Sequence, residues 1–168
     1  MGETDGKIPG DVGMSARQDD LEAIRTVVQR TASLLDAEQF SEWISLFDAD
    51  GSYELAAYST EIRRWMTWQL SDRPTLEQML SEVGEHVRDP ARRRHVVGLP
   101  LVEFTEEAAA RVTTAFSLFR TTPEGDSSLY MVGSYEDQLI KRDDEWRYAF
   151  HRVVADTRLL NAFTHIPV

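Results

Sequence analysis

Apolar side chains change their spacing once along the chain, and the change separates a helical first half from a strand-rich second half. Leu21, Ile24, Val28, Thr31 and Leu35 recur at three- and four-residue steps, with Val27 and Leu34 widening the stripe. That spacing is one face of an amphipathic helix, and Asp19 or Asp20 is its expected N-cap. A short second helix carries Phe40, Trp43, Ile44 and Phe47 on one side and should end in the turn Asp48-Ala49-Asp50-Gly51. Ser52 to Tyr58 reads as a strand. The stretch holding Trp65 and Trp68 reads as a loop or one helical turn, the two rings being three residues apart. A capping acid and an early proline in Asp72-Arg73-Pro74-Thr75 start a third helix, with Leu76, Met79, Leu80, Val83 and Val87 inward and Arg88-Asp89-Pro90 as its stop.

Beyond this point the spacing shifts towards two. Residues 95–104, 110–119, 129–140 and 146–154 read as four long strands joined by Thr105-Glu106-Glu107, Pro123-Glu124-Gly125-Asp126 and Arg142-Asp143-Asp144-Glu145. Links this short force antiparallel neighbours, because a parallel crossover needs about a dozen residues or more. Gly98 and Pro100 mark a bulge or bend in the first strand, a means of curving a sheet round a helix. The expected fold is therefore α+β: a cone-shaped, curved antiparallel sheet packed on N-terminal helices. One such domain covers residues 15–168, after a glycine-rich flexible tail at 1–14. A cone of this kind encloses a pocket between helices and sheet.

Composition narrows the chemistry. The 168 residues include no cysteine, so the chain has no disulfide, thiolate nucleophile, Cys-type zinc site or Cys-ligated iron–sulfur centre of its own. A formal charge of −11 argues against nucleic acid and anionic membranes as partners. No signal-peptide core and no transmembrane run is visible, which makes the cytoplasm the plain expectation. His86, His95, His151 and His165 are scattered, without the close pairing of a helical zinc site or an iron triad. The Asp48-Ala49-Asp50-Gly51 segment fails as a calcium loop, its glycine arriving two places early. Nucleophile elbows and phosphate-binding glycine loops are also missing.

What remains is Asp36, closing the first helix, and His95, opening the sheet. In a cone these elements face each other. An aspartate orienting a histidine makes a general base, and Tyr53 would complete the site. The alternative is structural, with Asp36 capping the second helix and His95 a hydrogen-bonded wall residue. Tyr53, Tyr135, Trp146 and Tyr148 read as core aromatics before ligand contacts. Arg92-Arg93-Arg94 is a solvated turn or an interface element.

Several short motifs in order carry a resemblance. Leu34-Leu35-Asp36, Phe40-x-x-Trp43-x-x-Leu46-Phe47 and Asp50-x-x-Tyr53 come first, then Arg88-Asp89-Pro90 leading into Arg94-His95-Val96-Val97. Gly133-Ser134-Tyr135-Glu136-Asp137-Gln138-Leu139, Asp143-Asp144-Glu145-Trp146-Arg147, residues 152–160 and Ile166-Pro167 follow. Together they resemble the small (beta) subunit of aromatic-ring-hydroxylating, Rieske-type dioxygenases over roughly residues 19–168. The resemblance implies a nuclear-transport-factor-like, SnoaL-like fold. It also implies a chain with no cofactor and no catalytic residue, a homotrimer that forms the base of an α3β3 hexamer. The large alpha oxygenase subunit would hold the Rieske [2Fe-2S] cluster and mononuclear iron, and ferredoxin and reductase would serve the complex. On that reading Arg94, Asp137, Trp146, Arg152, Asp156 and Arg158 are structural or interface residues, with 156–168 lying against a neighbouring subunit. Val97-Gly98-Leu99-Pro100 resembles small subunits of oxygenases acting on benzoate-like acids. SnoaL-like cyclases, scytalone dehydratase and ketosteroid isomerase share the cone, and the rival they imply is a free-standing dehydratase or isomerase using Asp36 and His95. A non-catalytic binding cone is the third possibility.

Overall fold

The helical half of the computed structural model begins with α1, Pro9–Asp36, followed by α2, Phe40–Ile44, and later α3, Arg73–Glu82. The structure describes residues 9–83, 89–159 and 166–168, with side chains from residue 15 onward. The start of α1 corrects the sequence reading in two ways. The helix already includes residues 9–14 of the expected tail, and Asp19 and Asp20 lie within it instead of capping it. The rest of that tail, with Val87, Arg88, His86 and His165, lies outside the described residues. The inward face of α1 is the expected one: Ile24, Val28 and Leu35 are almost wholly removed from water. Burial of that kind stabilises by about 1.5–3 kcal/mol per side chain. Helix α3 starts as expected, with Asp72 at its N-cap accepting from the Thr75 N–H at 3.0 Å and Pro74 in its first turn.

Seven strands follow from the rest: β1 Phe47–Ser59, β2 Arg64–Asp72, β3 Arg92–Val97, β4 Leu101–Glu106, β5 Ala109–Thr121, β6 Ser127–Arg142 and β7 Glu145–Ala155. They form one sheet in the order β2-β1-β7-β6-β5-β3, with β4 also paired to β5. Three differences from the sequence reading have local causes. Residues 64–72 are the second arm of a β1–β2 hairpin, where Trp65 and Trp68 sit on an edge strand without inward alternation. Asp48-Ala49-Asp50-Gly51 lies inside β1 as an irregularity, five residues of β1 advancing while β7 advances two. A Cβ at Gly51 would stand 2.7 Å from the Tyr148 carbonyl oxygen, so the backbones meet there only with glycine. The expected strand 95–104 is two strands, β3 and β4, divided at Gly98 and Pro100 and both paired to β5.

The sheet is mixed, since β1 runs parallel to β7 while its other pairs are antiparallel. Its curvature needs close approach as well: a Cβ on Gly133 would lie 2.1 Å from the Val154 carbonyl oxygen. The β6–β7 turn is a two-residue loop in which Asp143 and Asp144 both have positive φ, the twist that matches paired strands. One core fills the space between helices and concave face, centred on Trp43, Phe47, Tyr53, Tyr135 and Tyr148.

Candidate functional site

Asp36 ends α1, where the helix dipole disfavours a carboxylate, and β3 compensates. The His95 backbone N–H donates to both carboxylate oxygens at 3.0 and 3.1 Å, and His95 Nδ1 lies 2.7 Å from Oδ1. Arg94 adds a guanidinium nitrogen 3.5 Å from Oδ2. The pair expected from sequence thus exists, but Asp36 joins α1 to β3 and caps no helix. Gln39 stands at the N-cap of α2 without a side-chain bond. The His95 ring is 1% exposed, and its Nε2 has no partner among the described residues. An aspartate on one ring nitrogen and a free second nitrogen is the arrangement a general base uses.

Tyr53, the third member, stands in the core on β1. Its hydroxyl accepts the Val168 N–H at 3.3 Å, and Val168 is fully buried. The tail therefore returns to its own domain at Pro167 and Val168, which corrects the expectation that all of 156–168 lies against a neighbour. Burial pushes the Tyr53, Tyr135 and Tyr148 hydroxyls well above the usual phenol range, so all three stay protonated at neutral pH.

A second Asp–His pair was not among the sequence candidates. Asp137 on β6 and His151 on β7 are wholly buried, with His151 Nδ1 2.7 Å from Asp137 Oδ1. The rings of Tyr148, Tyr135, Tyr53, Phe47 and Trp43 surround His151 at centroid distances from 4.7 to 6.4 Å. Burial raises the Asp137 pKa against the pull of His151. The signal was available: Asp137 falls on the inward phase of β6 between Tyr135 and Leu139, and a carboxylate in a core needs a partner.

The remaining singled-out residues are spread over the molecule. Trp146 is a core residue whose Nε1 donates to Asp20 at 2.8 Å. Asp20 also holds Lys141 at 2.8 Å, and these partners outweigh burial to keep its pKa low. Arg152 bridges Glu54 at 2.8 Å and Glu136 at 3.0 Å and lies over the Trp65 ring. Arg158 pairs with Glu61, which is held at about 2 chiefly by that bond, and Asp156 is exposed. The three-arginine run is a strand, not a turn: Arg93 lies over the Tyr130 ring and donates to the Ile166 carbonyl.

A cleft of about 380 Å³ opens beside Asp36, walled by Glu38, Asp89, Arg92, Arg93, Arg94 and Ile166. It offers charges of both signs. His95 is not among its walls. No group of three or more His, Asp or Glu side chains among the described residues could hold a metal ion. With no cysteine in the chain, the residues present do not fit a Rieske cluster either. No helix among the described residues is long and apolar enough to cross a membrane.

The family described as SnoaL-like domain matches residues 16–152. The beta subunit of 2-aminobenzenesulfonate 2,3-dioxygenase from Alcaligenes sp. is 30% identical, over 89% of this chain and 99% of the relative. The hydroxylase beta subunit of methanesulfonate monooxygenase from Methylosulfonomonas methylovora is 24% identical, over 96% and 94%. Among solved structures, a chain assigned as the beta subunit of an aromatic-ring-hydroxylating dioxygenase from Novosphingobium aromaticivorans superposes with a TM-score of 0.77 at 18% identity. That match covers 86% of this chain and 94% of the other.

Proposed function

The chain belongs to the SnoaL-like domain family, among the beta subunits of ring-hydroxylating dioxygenases, and on that premise we propose that it is the structural small subunit of a terminal oxygenase in aromatic-compound breakdown. In this reading three copies form the base of an α3β3 hexamer. The large alpha subunit carries the Rieske [2Fe-2S] cluster and mononuclear iron, and ferredoxin and reductase deliver electrons to the complex. The match to the 2-aminobenzenesulfonate dioxygenase beta subunit, 30% identical over 89% of this chain and 99% of that relative, carries the proposal. Having no cysteine, the chain leaves the thiolates of a Rieske cluster to a partner.

One observation favours a second reading, a cofactor-free dehydratase or isomerase. It is the unpartnered Nε2 of His95 behind Asp36. Against it, the ring is buried and the Tyr53 hydroxyl is taken by Val168. Co-expression with the large subunit separates the two. We expect the chain to co-purify with that subunit in equal amounts. We also expect His95→Gln to leave ring hydroxylation by the assembled enzyme within about tenfold, a loss of under about 1.4 kcal/mol in barrier terms. A loss of several orders of magnitude with assembly intact would establish the dyad, and failure to co-purify would remove the subunit role.

A further inference from the structure

Three residues of the chain's own tail stand between solvent and the inside of the cone. Pro167 and Val168 are buried, and Ile166 is half-buried against the core. Two bonds hold the segment: Arg93 on β3 donates to the Ile166 carbonyl at 3.5 Å, and the Val168 N–H donates to the Tyr53 hydroxyl at 3.3 Å. The cleft of about 380 Å³ beside Asp36 has Ile166 as one of its walls. Val168 lies deeper, wholly removed from water. Nearby polar atoms are left over. Nε2 of His95 and the Tyr135 hydroxyl are buried and have no partner among the described residues, although buried polar groups are nearly always paired. After burial, which dominates both shifts, Tyr53 and Asp36 also raise the Tyr135 pKa, while Val168 and Arg93 pull that of Tyr53 down. Groups that feel one another's charge in this way share one interior space.

We propose that residues 166–168 occupy a ligand site in their own cone, and that a single-ring aromatic acid is the molecule that fits in their place. The inference does not rest on the small-subunit reading. The tail itself shows what the site accepts: an apolar body, filled by Ile166 and Val168, with a carbonyl oxygen on Arg93 beside the Tyr53 hydroxyl. An aromatic ring supplies the apolar body among the core rings. One carboxylate oxygen takes the place of the Ile166 carbonyl on Arg93, a charge-assisted bond. The Tyr53 hydroxyl stays protonated, so once Val168 leaves it can donate to the other oxygen. Charge around the cleft also asks for one anion. Asp36 is matched by Arg94, and Asp89 by Arg120. Among the remaining described walls, Arg92 and Arg93 face a single acid, Glu38, an excess of one positive charge that a carboxylate neutralises.

The test uses the full chain and Val168→Glu, a variant whose charge cannot stay in the core and so drives the tail out without shortening it. Calorimetric titration with benzoate should show saturable binding to the variant and binding about ten- to a hundredfold weaker to the wild type, the advantage that burial of one valine gives the tail. Benzyl alcohol, of similar size without the charge, should bind the variant about tenfold more weakly than benzoate. An acetylated Ile-Pro-Val peptide should displace benzoate from the variant. Equal benzoate affinity in the two proteins, benzyl alcohol binding as tightly as benzoate, or a peptide that does not compete would each overturn the proposal. Where Val168→Glu shows no cooperative melt by itself, benzoate or the peptide should restore one, because each stabilises the fold it binds. A variant that neither restores, or a folded variant that binds no benzoate, overturns it as well. Large-subunit capture is a separate readout, so failure here leaves the proposed function standing, and failure to co-purify with that subunit leaves this site standing.

Discussion

Asp137 and His151 illustrate how one side chain's burial dictates another's identity. A lone carboxylate between β6 and β7 would lose its hydration with nothing in return, and the His151 ring gives it a hydrogen bond at 2.7 Å inside a cage of five aromatic rings. The second oxygen of Asp137 and Nε2 of His151 remain without partners among the described residues. Removing one member leaves the other stranded. His151→Leu should therefore lower unfolding free energy by about 3 kcal/mol or more, whereas Asp137→Leu/His151→Leu together should recover most of that loss. Urea titrations of the three proteins measure it, and a double variant as weak as the single would show that the pair contributes net stability. Asp36 and His95 were legible in sequence because Asp36 closes α1 and His95 follows the Arg88-Asp89-Pro90 break that opens the sheet, two places that a cone brings together. The Asp137 pair was missed because its two members sit mid-strand, where the phase of burial, not the motif, carries the signal.

At the scale of elements, ion pairs fasten strands to the segments that precede them. Asp89, just before β3, accepts two bonds from Arg120 on β5, at 2.6 and 2.7 Å. The Arg120 bond holds the Asp89 pKa below its ordinary value. A carboxylate whose folded pKa lies below its unfolded value of about 3.9 stabilises the fold above that pH, and the contribution disappears as pH falls through the folded value. The wild type should thus be more stable than Arg120→Met at pH 7, with the difference shrinking towards zero as pH falls through the lowered Asp89 pKa. Thermal melts of both proteins across that range check the sign, and a gap that persists in acid would assign the effect to the arginine's packing. Element positions were largely legible: α1, α3 and the long strands follow from spacing and from caps such as Asp72. Residues 64–72 were not, because an edge strand with Trp65 and Leu70 facing outward has no apolar alternation to detect. The parallel β1–β7 pair was hidden too, since nothing near Phe47 or Tyr148 encodes which distant strand lies beside it.

The whole molecule combines two surfaces of different physics, and salt distinguishes them. Its formal charge is −11, from 29 acidic and 18 basic side chains, which gives the chain a net attraction to any basic surface on a partner. The exposed side chains of Trp65, Leu70, Val96 and Leu101 are apolar, and their attraction depends on area removed from water. Raising ionic strength shortens the screening length from about 10 Å at 0.1 M to about 3 Å at 1 M. Long-range attraction to a large subunit should weaken across that range while apolar contact between copies holds. We therefore expect the association rate with the large subunit to fall about tenfold between 0.05 and 0.5 M sodium chloride, with dissociation changing far less. Over the same range the mass of the chain alone should stay that of three copies. Stopped-flow mixing and light scattering read the two quantities separately. A salt-independent association rate would show that the acidic surface does not face the partner.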